Sequence, residues 1–300
     1  MYLSFLFRRS AVQAAAPTGH PVPRRVLYHA VRPRARPWPR RRPSEHLHPR
    51  MTFQLQVLGC GDAFSSGGRL HTCFLLSGET NDGALSPTLL DCGATSLAAM
   101  KARGIEPATI RTILITHLHG DHFGGLPFLL SDAHYRARRA TPLTLAGPPG
   151  LRVRLRQAAE ALYPGSSKRE LAFELEIVEL HERESVSING LRVIPFEVVH
   201  PSGAPSYALR VEYGGRTLVF SGDTEWTEAL IDAAAGADLF VCECNFYDRP
   251  VPNHLNYVEL LAQRRRLDCG RMLLTHLGDD MLERSDLEIE AAAEGRTYRV

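Results

Sequence analysis

The sequence of residues 51–300 predicts an α/β fold with both parallel and antiparallel strands. Short apolar runs alternate with turn residues and helix-like stretches, which is the pattern of sheets covered by helices. Gly214-Gly215 separates two strand-like runs and indicates a two-residue hairpin, because glycine tolerates positive φ. The chain is 44% hydrophobic, which is enough to bury a sizeable core.

The apolar pattern defines the individual elements. The predicted strands, in chain order, are Phe53–Leu58, Thr72–Leu76, Thr88–Leu90, Thr112–Ile115, Leu143–Ala146, Leu191–Val199, Ala208–Tyr213, Thr217–Phe220, Leu239–Cys242 and Met272–Leu274. The predicted helices are Ser96–Arg103, Leu151–Leu162, Glu225–Ala234 and Tyr257–Arg265. Strands and helices therefore follow each other along the whole of residues 51–300.

Residues 1–50 differ in composition and are predicted to form a disordered basic segment. They contain 11 arginines, eight prolines and one acidic residue, which leaves 24 basic and 32 acidic residues, a net charge of −8, for residues 51–300. Proline interleaved with arginine neither continues a helix nor packs into a core. Three interpretations stay open: an arm that binds nucleic acid or an anionic surface, an organelle transit peptide, or an upstream reading of a protein whose translation begins at Met51.

Composition also bears on the compartment. No apolar run approaches the ~20 residues that span a bilayer, so an integral membrane protein is not expected. The six cysteines are scattered through a chain that is too large to depend on disulfides. The sequence therefore predicts a reduced, cytoplasmic setting.

Histidines concentrate where predicted strands end. Five of the nine histidines in residues 51–300 lie in such loops: His117, His119, His122, His200 and His276. Asp121 and Asp223 share this placement. A buried cluster of imidazoles and carboxylates needs a cation as partner, and strand ends can aim several side chains at one point. The pattern therefore predicts a metal site, with donors that suit zinc.

The run from Thr116 to His122 resembles the His-x-His-x-Asp-His signature of the metallo-β-lactamase superfamily. Further matches follow in family order: Gly59–Ala63, Leu90–Gly93, His200, Gly222–Thr224 and Thr275-His276. For residues 51–300 this resemblance implies the four-layer αβ/βα sandwich of that superfamily. It also implies a hydrolase with two metal ions.

The resemblance assigns the ligands to two ions, which are expected to be Zn²⁺, with Mn²⁺ or Fe²⁺ as alternatives. One ion would be held by His117, His119 and His200. The other would be held by Asp121, His122 and His276. Asp223 and a hydroxide would bridge them, and Asp91 would orient a ligand imidazole. A turn-capping role is the alternative for Asp91.

Three features separate this chain from other branches of the superfamily. Asp223 stands where zinc β-lactamases of the main group carry cysteine. His119 is intact, whereas flavodiiron-type members carry glutamate there. Only 24 residues follow His276, too few for the helical substrate domain of glyoxalase II.

Glu243 and His254 resemble the pair that ribonuclease Z and its phosphodiesterase relatives place beside the dinuclear centre. The resemblance implies that Glu243 holds His254 and that His254 contacts a phosphoryl oxygen or the leaving group. A glutamate partner would raise the imidazole pKa and favour a cation. Together with Asp121, these two residues are the predicted catalytic residues. A strand-end acid and a surface histidine are the alternatives.

The expected substrate is a small phosphodiester rather than tRNA. Ribonuclease Z inserts a tRNA-gripping arm between its equivalents of His200 and Asp223, whereas only residues 201–222 intervene here. The net charge of −8 would also repel a polyanion. Ser65 and Arg69, in a glycine-bearing loop, are candidate substrate contacts, with a mobile turn as the alternative. A homodimer is expected because this branch often forms dimers.

Two other functions stay open beside the zinc-dependent phosphodiesterase. The same metal pair could hydrolyse a carboxylic or sulfate ester, such as a lactone or an aryl sulfate, because a metal site alone does not select the electrophile. A metal-binding superfamily member without turnover is the third hypothesis.

Overall fold

Apolar strands form two mixed sheets in the computed structural model, which describes residues 52–80 and 83–300. The disordered segment predicted for residues 1–50 lies outside the described residues. The strands of the first sheet are β1 (Thr52–Gly59), β2 (Cys73–Thr80), β3 (Gly83–Leu90), β4 (Thr112–Leu114), β5 (Leu143–Gly147), β6 (Leu175–Glu179) and β14 (Thr297–Arg299). Their order is β14-β1-β2-β3-β4-β5-β6.

The second sheet repeats this plan. Its strands are β7 (Val186–Ile188), β8 (Leu191–Val198), β9 (Ser206–Tyr213), β10 (Arg216–Phe220), β11 (Ala237–Glu243), β12 (Cys269–Thr275) and β13 (Glu290–Ala291). Their order is β13-β12-β11-β10-β9-β8-β7. In both sheets antiparallel pairs pass into parallel pairs, at β3 and β4 in the first and at β10 and β11 in the second.

Helices cover the outer faces of the sheets. Those in the described residues are α1 (Ser96–Ala102), α2 (Gly120–Phe123), α3 (Leu126–Ser131), α4 (Leu151–Leu162), α5 (Ala229–Ala234), α6 (Tyr257–Gln263) and α7 (Asp279–Leu282). A π-helical turn, Asp132–Arg136, continues α3.

Three apolar clusters bind the layers together. Between the sheets, Phe74 of β2 meets Phe220 of β10 edge to face, with ring centroids 5.4 Å apart. Met100 of α1 is buried against the first sheet, and Leu230 of α5 and Leu260 of α6 are buried against the second. This helix–sheet–sheet–helix arrangement confirms the four-layer sandwich.

All ten predicted strands and all four predicted helices are present, although several boundaries differ: β2 and β3, for example, are each several residues longer than predicted. The helix predicted from Glu225 begins at Ala229. The Glu225 backbone N–H donates to the carbonyl of Val199, and its carboxylate accepts from the Asn253 N–H, so this stretch joins two loops instead of coiling. The edge strands β6, β7, β13 and β14 were not predicted, because they are short and partly exposed.

The predicted hairpin is confirmed. Gly214 and Gly215 join β9 to β10 with φ values of 55° and 80°, which a two-residue turn of this hand requires. All six cysteines lie in the described residues, and none is paired in a disulfide. Within residues 52–80 and 83–300, no helix combines the length and the apolar character that crossing a membrane requires.

Candidate metal centre

The side chains predicted to bind metal meet where strands of both sheets end. From the first sheet, the loop after β4 carries His117 and His119, and α2 carries Asp121 and His122. The second sheet supplies three more: His200 after β8, Asp223 after β10 and His276 after β12. Packing of the two sheets thus gathers donors that are far apart in the sequence.

Three imidazoles form the first group of donors. Ring nitrogens of His117, His119 and His200 lie within 4.8 Å of one another. His200 Nε2 is 2.9 Å from His119 Nδ1, a separation suited to two ligands of one ion. His200 Nδ1 donates to the carbonyl of Asn253 at 2.9 Å, which leaves the Nε2 lone pair facing the group.

Two carboxylates and two imidazoles form the second group: Asp121, His122, Asp223 and His276. His122 Nε2 lies 3.1 Å from Asp121 Oδ2 and 3.2 Å from Asp223 Oδ1. His276 Nε2 lies 3.3 Å from Asp223 Oδ2.

Asp223 lies between the two groups. Its Oδ2 atom is 3.8 Å from both His117 Nε2 and His200 Nε2, while its Oδ1 atom faces His122. This is the position expected of a bridging carboxylate.

The donor set fits a divalent metal. Three of the buried atoms that face the two groups have no hydrogen-bond partner: His117 Nε2, His122 Nε2 and Asp223 Oδ1. His276 Nδ1, the ring nitrogen that does not approach Asp223, also lacks one. Buried polar atoms are rarely left unsatisfied, because desolvation without a partner costs free energy. A cation at this point satisfies all three, and imidazole with carboxylate is a common ligand set for divalent transition metals.

Burial prepares most of these imidazoles to bind a cation. It lowers the pKa of His117 well below the usual range, lowers that of His200, and lowers that of His276 to about 4. These rings are therefore neutral at pH 7 and offer lone pairs. Burial also opposes the charged form of His122, but Asp223, Asp121 and Asp91 outweigh it and raise its pKa. A metal ion thus competes with a proton at His122.

Asp91 holds His122 from the side opposite the donor group. Asp91 Oδ2 accepts from His122 Nδ1 at 2.6 Å and from Thr116 Oγ1 at 2.8 Å, and Oδ1 accepts from the Thr116 N–H at 2.8 Å. With Nδ1 engaged, His122 Nε2 faces the second group. These contacts suit an orienting role for Asp91, which stays a prediction.

The sequence analysis did not identify Thr116 as a residue that supports the donor groups. Its hydroxyl donates to Asp91 and lies 3.0 Å from His117 Nδ1, so it links an imidazole of the first group to the carboxylate that holds His122. Its position between β4 and the first histidine was the available signal. Asn253, which engages His200 through a main-chain carbonyl, gave no signal because any residue carries that group.

Glu243 and His254 form a second carboxylate–imidazole pair, as predicted. Glu243 Oε1 accepts from His254 Nδ1 at 3.0 Å and from the Thr224 N–H at 2.6 Å. The His254 ring lies 5.0 Å from the His200 ring and 5.5 Å from the His276 ring. The pair therefore adjoins both donor groups.

The two candidate substrate residues in the loop after β1, Arg69 and Ser65, have different surroundings. Arg69 Nη1 donates to the carbonyl of Ala292 at 3.2 Å and contacts Cys60 Sγ at 3.1 Å, so it secures the C-terminal segment. These contacts give Arg69 a structural role, and a substrate contact by Arg69 stays a prediction. Ser65 has a left-handed backbone, and its carbonyl accepts from the Gly68 N–H. A substrate contact by Ser65 stays a prediction.

Comparison with known proteins places this architecture in a family. A family model described as "Anti-Pycsar protein Apyc1" matches residues 53–296, most of the chain. The chain belongs to the Apyc1 family. The uncharacterized protein ML1173 of Mycobacterium leprae is 30% identical over 249 residues, which are 81% of this chain and 84% of that protein. Ribonuclease Z of Agathobacter rectalis is 28% identical over 253 residues, 67% of this chain and 81% of the enzyme.

A solved structure agrees with the fold of this Apyc1-family chain. The metallo-β-lactamase fold protein YhfI of Bacillus subtilis superposes with a TM-score of 0.67 at 19% identity, over 84% of this chain and 100% of YhfI. The resemblance to the metallo-β-lactamase superfamily and its ribonuclease Z-like branch is confirmed. Together with the histidine–aspartate cluster, these relatives support a divalent-metal-dependent hydrolase. The homodimer and the cytoplasmic location stay predictions.

Proposed function

We propose that this chain is a zinc-dependent phosphodiesterase that holds two Zn²⁺ ions and hydrolyses small phosphodiesters. The observation that carries the proposal is the position of the Glu243–His254 pair beside both donor groups. The metal donors by themselves suit several kinds of ester, so a choice of phosphorus must come from the residues around them.

The ligands of the proposed ions follow the two donor groups. One ion would be held by His117, His119 and His200. The other would be held by Asp121, His122 and His276, with Asp223 between the two. When bound, such ions supply Lewis acidity toward phosphoryl oxygens and lower the pKa of water to about 7.

His254 is placed to act on a substrate at these ions. Its side chain is 22% exposed, whereas Glu243 beneath it is fully buried. Because Nδ1 is engaged by Glu243, Nε2 is the nitrogen free to meet a substrate. The ring stacks within 8° of parallel on the His276 ring, which fixes its plane relative to the second donor group.

The charge of His254 suits a phosphodiester. Burial opposes its protonation, but the hydrogen bond and the charge of Glu243 outweigh that cost and raise its pKa to about 9. The ring is therefore a cation at neutral pH and can contact the anionic phosphoryl group. As the phosphorus–oxygen bond breaks, the Nε2 proton can pass to the departing oxygen, which then leaves as an alcohol.

The proposed substrate is small because the segment between His200 and Asp223 contains no insertion that could bind a large one. Residues 201–222 form the β9–β10 hairpin and its short connections, where ribonuclease Z carries its arm. The net charge of −8 on residues 51–300 also disfavours a polyanion. Ribonuclease Z acts on RNA, as its name states, and supports phosphodiester chemistry rather than this particular substrate size.

The test compares two histidine variants in the zinc-loaded protein. Hydrolysis of bis(p-nitrophenyl) phosphate is expected in the wild type, with His254→Ala lowering kcat by about 10²–10⁴-fold while zinc content stays near two per chain. His181→Ala, at an exposed histidine outside the centre, is the matched control and should retain wild-type turnover.

Other outcomes would select the alternatives. Undiminished phosphodiester hydrolysis in His254→Ala, with faster cleavage of lactones or aryl sulfates, would indicate an esterase. A full zinc complement without activity on any of these esters would indicate a metal-binding protein without turnover.

A further inference from the structure

One buried asparagine, Asn245, forms hydrogen bonds with the backbone of His276 and with the backbone of the residue that follows His254. Asn245, in the loop between β11 and α6, is 6% exposed. Its Nδ2 donates to the carbonyl of His276 at 3.0 Å, and its backbone N–H donates to the carbonyl of Leu255 at 3.2 Å. A single residue thus fixes the backbone of a predicted metal ligand and the backbone next to the predicted catalytic histidine.

The contact with His276 bears on a strained backbone. His276 has φ +56°, in the left-handed region that residues other than glycine seldom occupy, although histidine, asparagine and aspartate do so more often than the rest. That conformation turns its Nε2 toward Asp223 Oδ2 at 3.3 Å and its carbonyl toward Asn245. Such a conformation persists when surrounding contacts over-determine it, and the Asn245 amide is one of these contacts.

The position of Asn245 is itself closely defined. Its carbonyl accepts from the Gly278 N–H at 3.0 Å, and a Cβ atom on Gly278 would lie only 2.6 Å from that oxygen. The chain after His276 therefore packs directly on the Asn245 backbone. The amide has little freedom to move away from the His276 carbonyl.

The hydrogen bond from the Asn245 N–H to the Leu255 carbonyl fixes the backbone next to His254 in the same way. The two imidazoles lie parallel within 8°, with ring centroids 5.5 Å apart, and neither hydrogen-bonds to the other among the described contacts. Glu243 holds the His254 ring through Nδ1, whereas His276 Nδ1 has no hydrogen-bond partner, so their alignment also depends on the backbone that carries each ring. Asn245 anchors one chain at His276 and the other at the residue after His254.

We propose that Asn245 is a positioning residue that sets His276 for metal binding and aligns His254 with it. Its effect on metal binding depends only on the donor groups. Its effect on turnover rests on the proposed phosphodiesterase function. The two effects can therefore be measured separately.

Asn245→Asp is the most direct test, because the side chain keeps its shape while the donor facing the His276 carbonyl becomes an acceptor. Asn256→Asp is the matched control on the same loop. Asn256 Oδ1 caps α6 by accepting from the Glu259 N–H, as aspartate also can, and its Nδ2 donates to Glu259 Oε2 at 3.4 Å. The control therefore makes the same change from donor to acceptor, but at a site that contacts neither His276 nor His254. Asn245→Ala removes the donor without adding repulsion, and serves if Asn245→Asp does not fold.

Zinc titration and the visible spectrum of the cobalt-substituted protein are the first readouts. Asn245→Asp is expected to weaken one of the two metal sites by about 10–100-fold, the usual effect of losing a contact that orients a ligand. The other site and the Asn256→Asp control should keep wild-type affinity. Wild-type affinity at both sites in Asn245→Asp or Asn245→Ala, even with a lowered Tm, would overturn the proposal.

Kinetics at saturating zinc supply the second readout. Asn245→Asp should lower kcat for bis(p-nitrophenyl) phosphate about tenfold or more, with KM little changed, because alignment rather than substrate contact is lost. A KM effect alone would contradict the positioning role. If the wild type does not hydrolyse phosphodiesters, the proposed function fails, and the zinc titration still decides the role of Asn245.

Discussion

Two carboxylate–imidazole pairs flank the metal centre, and they differ in what surrounds them. His122 and Asp91 are both fully buried, and Asp91 accepts two further hydrogen bonds from Thr116. His254 is 22% exposed, and Glu243 beneath it keeps Oε2 without a hydrogen-bond partner. The same chemical pair is thus built once in a fully enclosed form and once in an open form.

The difference in burial suits the two imidazoles to different roles, metal binding for His122 and proton transfer for His254. Nε2 of His122 faces Asp121 and Asp223, so its lone pair is directed to a cation. Nδ1 of His254 is engaged by Glu243 and the side chain is 22% exposed, so Nε2 can keep a proton and give it to a substrate. In both pairs a carboxylate holds Nδ1 and so fixes the orientation of the ring. The surroundings of Nε2 then decide whether that nitrogen binds a metal ion or carries a proton.

Breaking the enclosed pair should have the largest effect. Asp91→Ala leaves His122 without its buried partner and Thr116 without its acceptor, and should lower the free energy of unfolding by about 3–5 kcal/mol. It should also abolish stable occupancy of the second donor group. Urea unfolding and zinc analysis measure the two effects, and a variant that retains both stability and two zinc ions would contradict the assigned role of Asp91.

Neutralising the carboxylate of the open pair should have a smaller effect, confined to turnover. Glu243→Gln keeps an oxygen for the Thr224 N–H but removes the charge that favours protonated His254, so kcat should fall about 10–100-fold near pH 8. Zinc content should stay at the wild-type level. Loss of zinc together with activity would show that the open pair, like the enclosed one, supports the ligands.

The pH profile distinguishes the pairs further. The pKa of His254 is raised to about 9, so its protonated form, and the activity that needs it, should be lost as the pH rises through about 9. In Glu243→Gln this alkaline limb should move to lower pH. An unchanged limb in that variant would assign it to a group other than His254.

The pKa of Glu243 is also raised, to about 7, because burial outweighs the opposing effect of its hydrogen bond to His254. The two groups share a hydrogen bond and titrate as a pair. Both folded-state pKa values are raised, so the stability that the pair supplies is present at low pH and is lost as the pH rises toward about 9. Urea unfolding of the zinc-free protein at pH 6 and pH 9.5 should therefore show lower stability at the higher pH, and Glu243→Gln should reduce that difference.

The smallest effect is expected from a single hydroxyl of the enclosed pair. Thr116→Val keeps the shape of the side chain and the N–H bond to Asp91 but removes the hydroxyl between Asp91 and His117. The free energy of unfolding should fall by about 1–2 kcal/mol, with modest loss of zinc affinity. An effect as large as that of Asp91→Ala would mean that the hydroxyl, rather than the carboxylate, organises the pair.

The sequence was informative wherever chemistry depends on a particular side chain in a short span. His117, His119, Asp121 and His122 fall within six residues after a short, wholly buried strand, so their meeting was predictable. His254 and Glu243 were also recognisable as a pair, although their 3.0 Å contact depends on how the β11–α6 loop folds back. That loop has no periodicity from which its path could be read.

Other features depend on long-range packing and left no local trace. The Asn253 carbonyl that engages His200 is a main-chain group common to all residues. Arg69 looks like a free cation in the sequence and is engaged only because the segment at Ala292 returns to it. The short strands β13 and β14 exist because partners elsewhere in the chain pair with them, not because of their own apolar pattern.

The return of β14 to β1 also orders events during synthesis. Because Thr297–Arg299 pairs with Gln54–Gln56, one edge of β1 stays open until β14, which is made after all the other described strands, has been synthesised. A nascent chain halted after His276 carries all the predicted ligands, yet its β1 edge still presents unpaired N–H and C=O groups to other chains. Partly synthesised molecules that lack β14 should therefore be prone to aggregate through this edge.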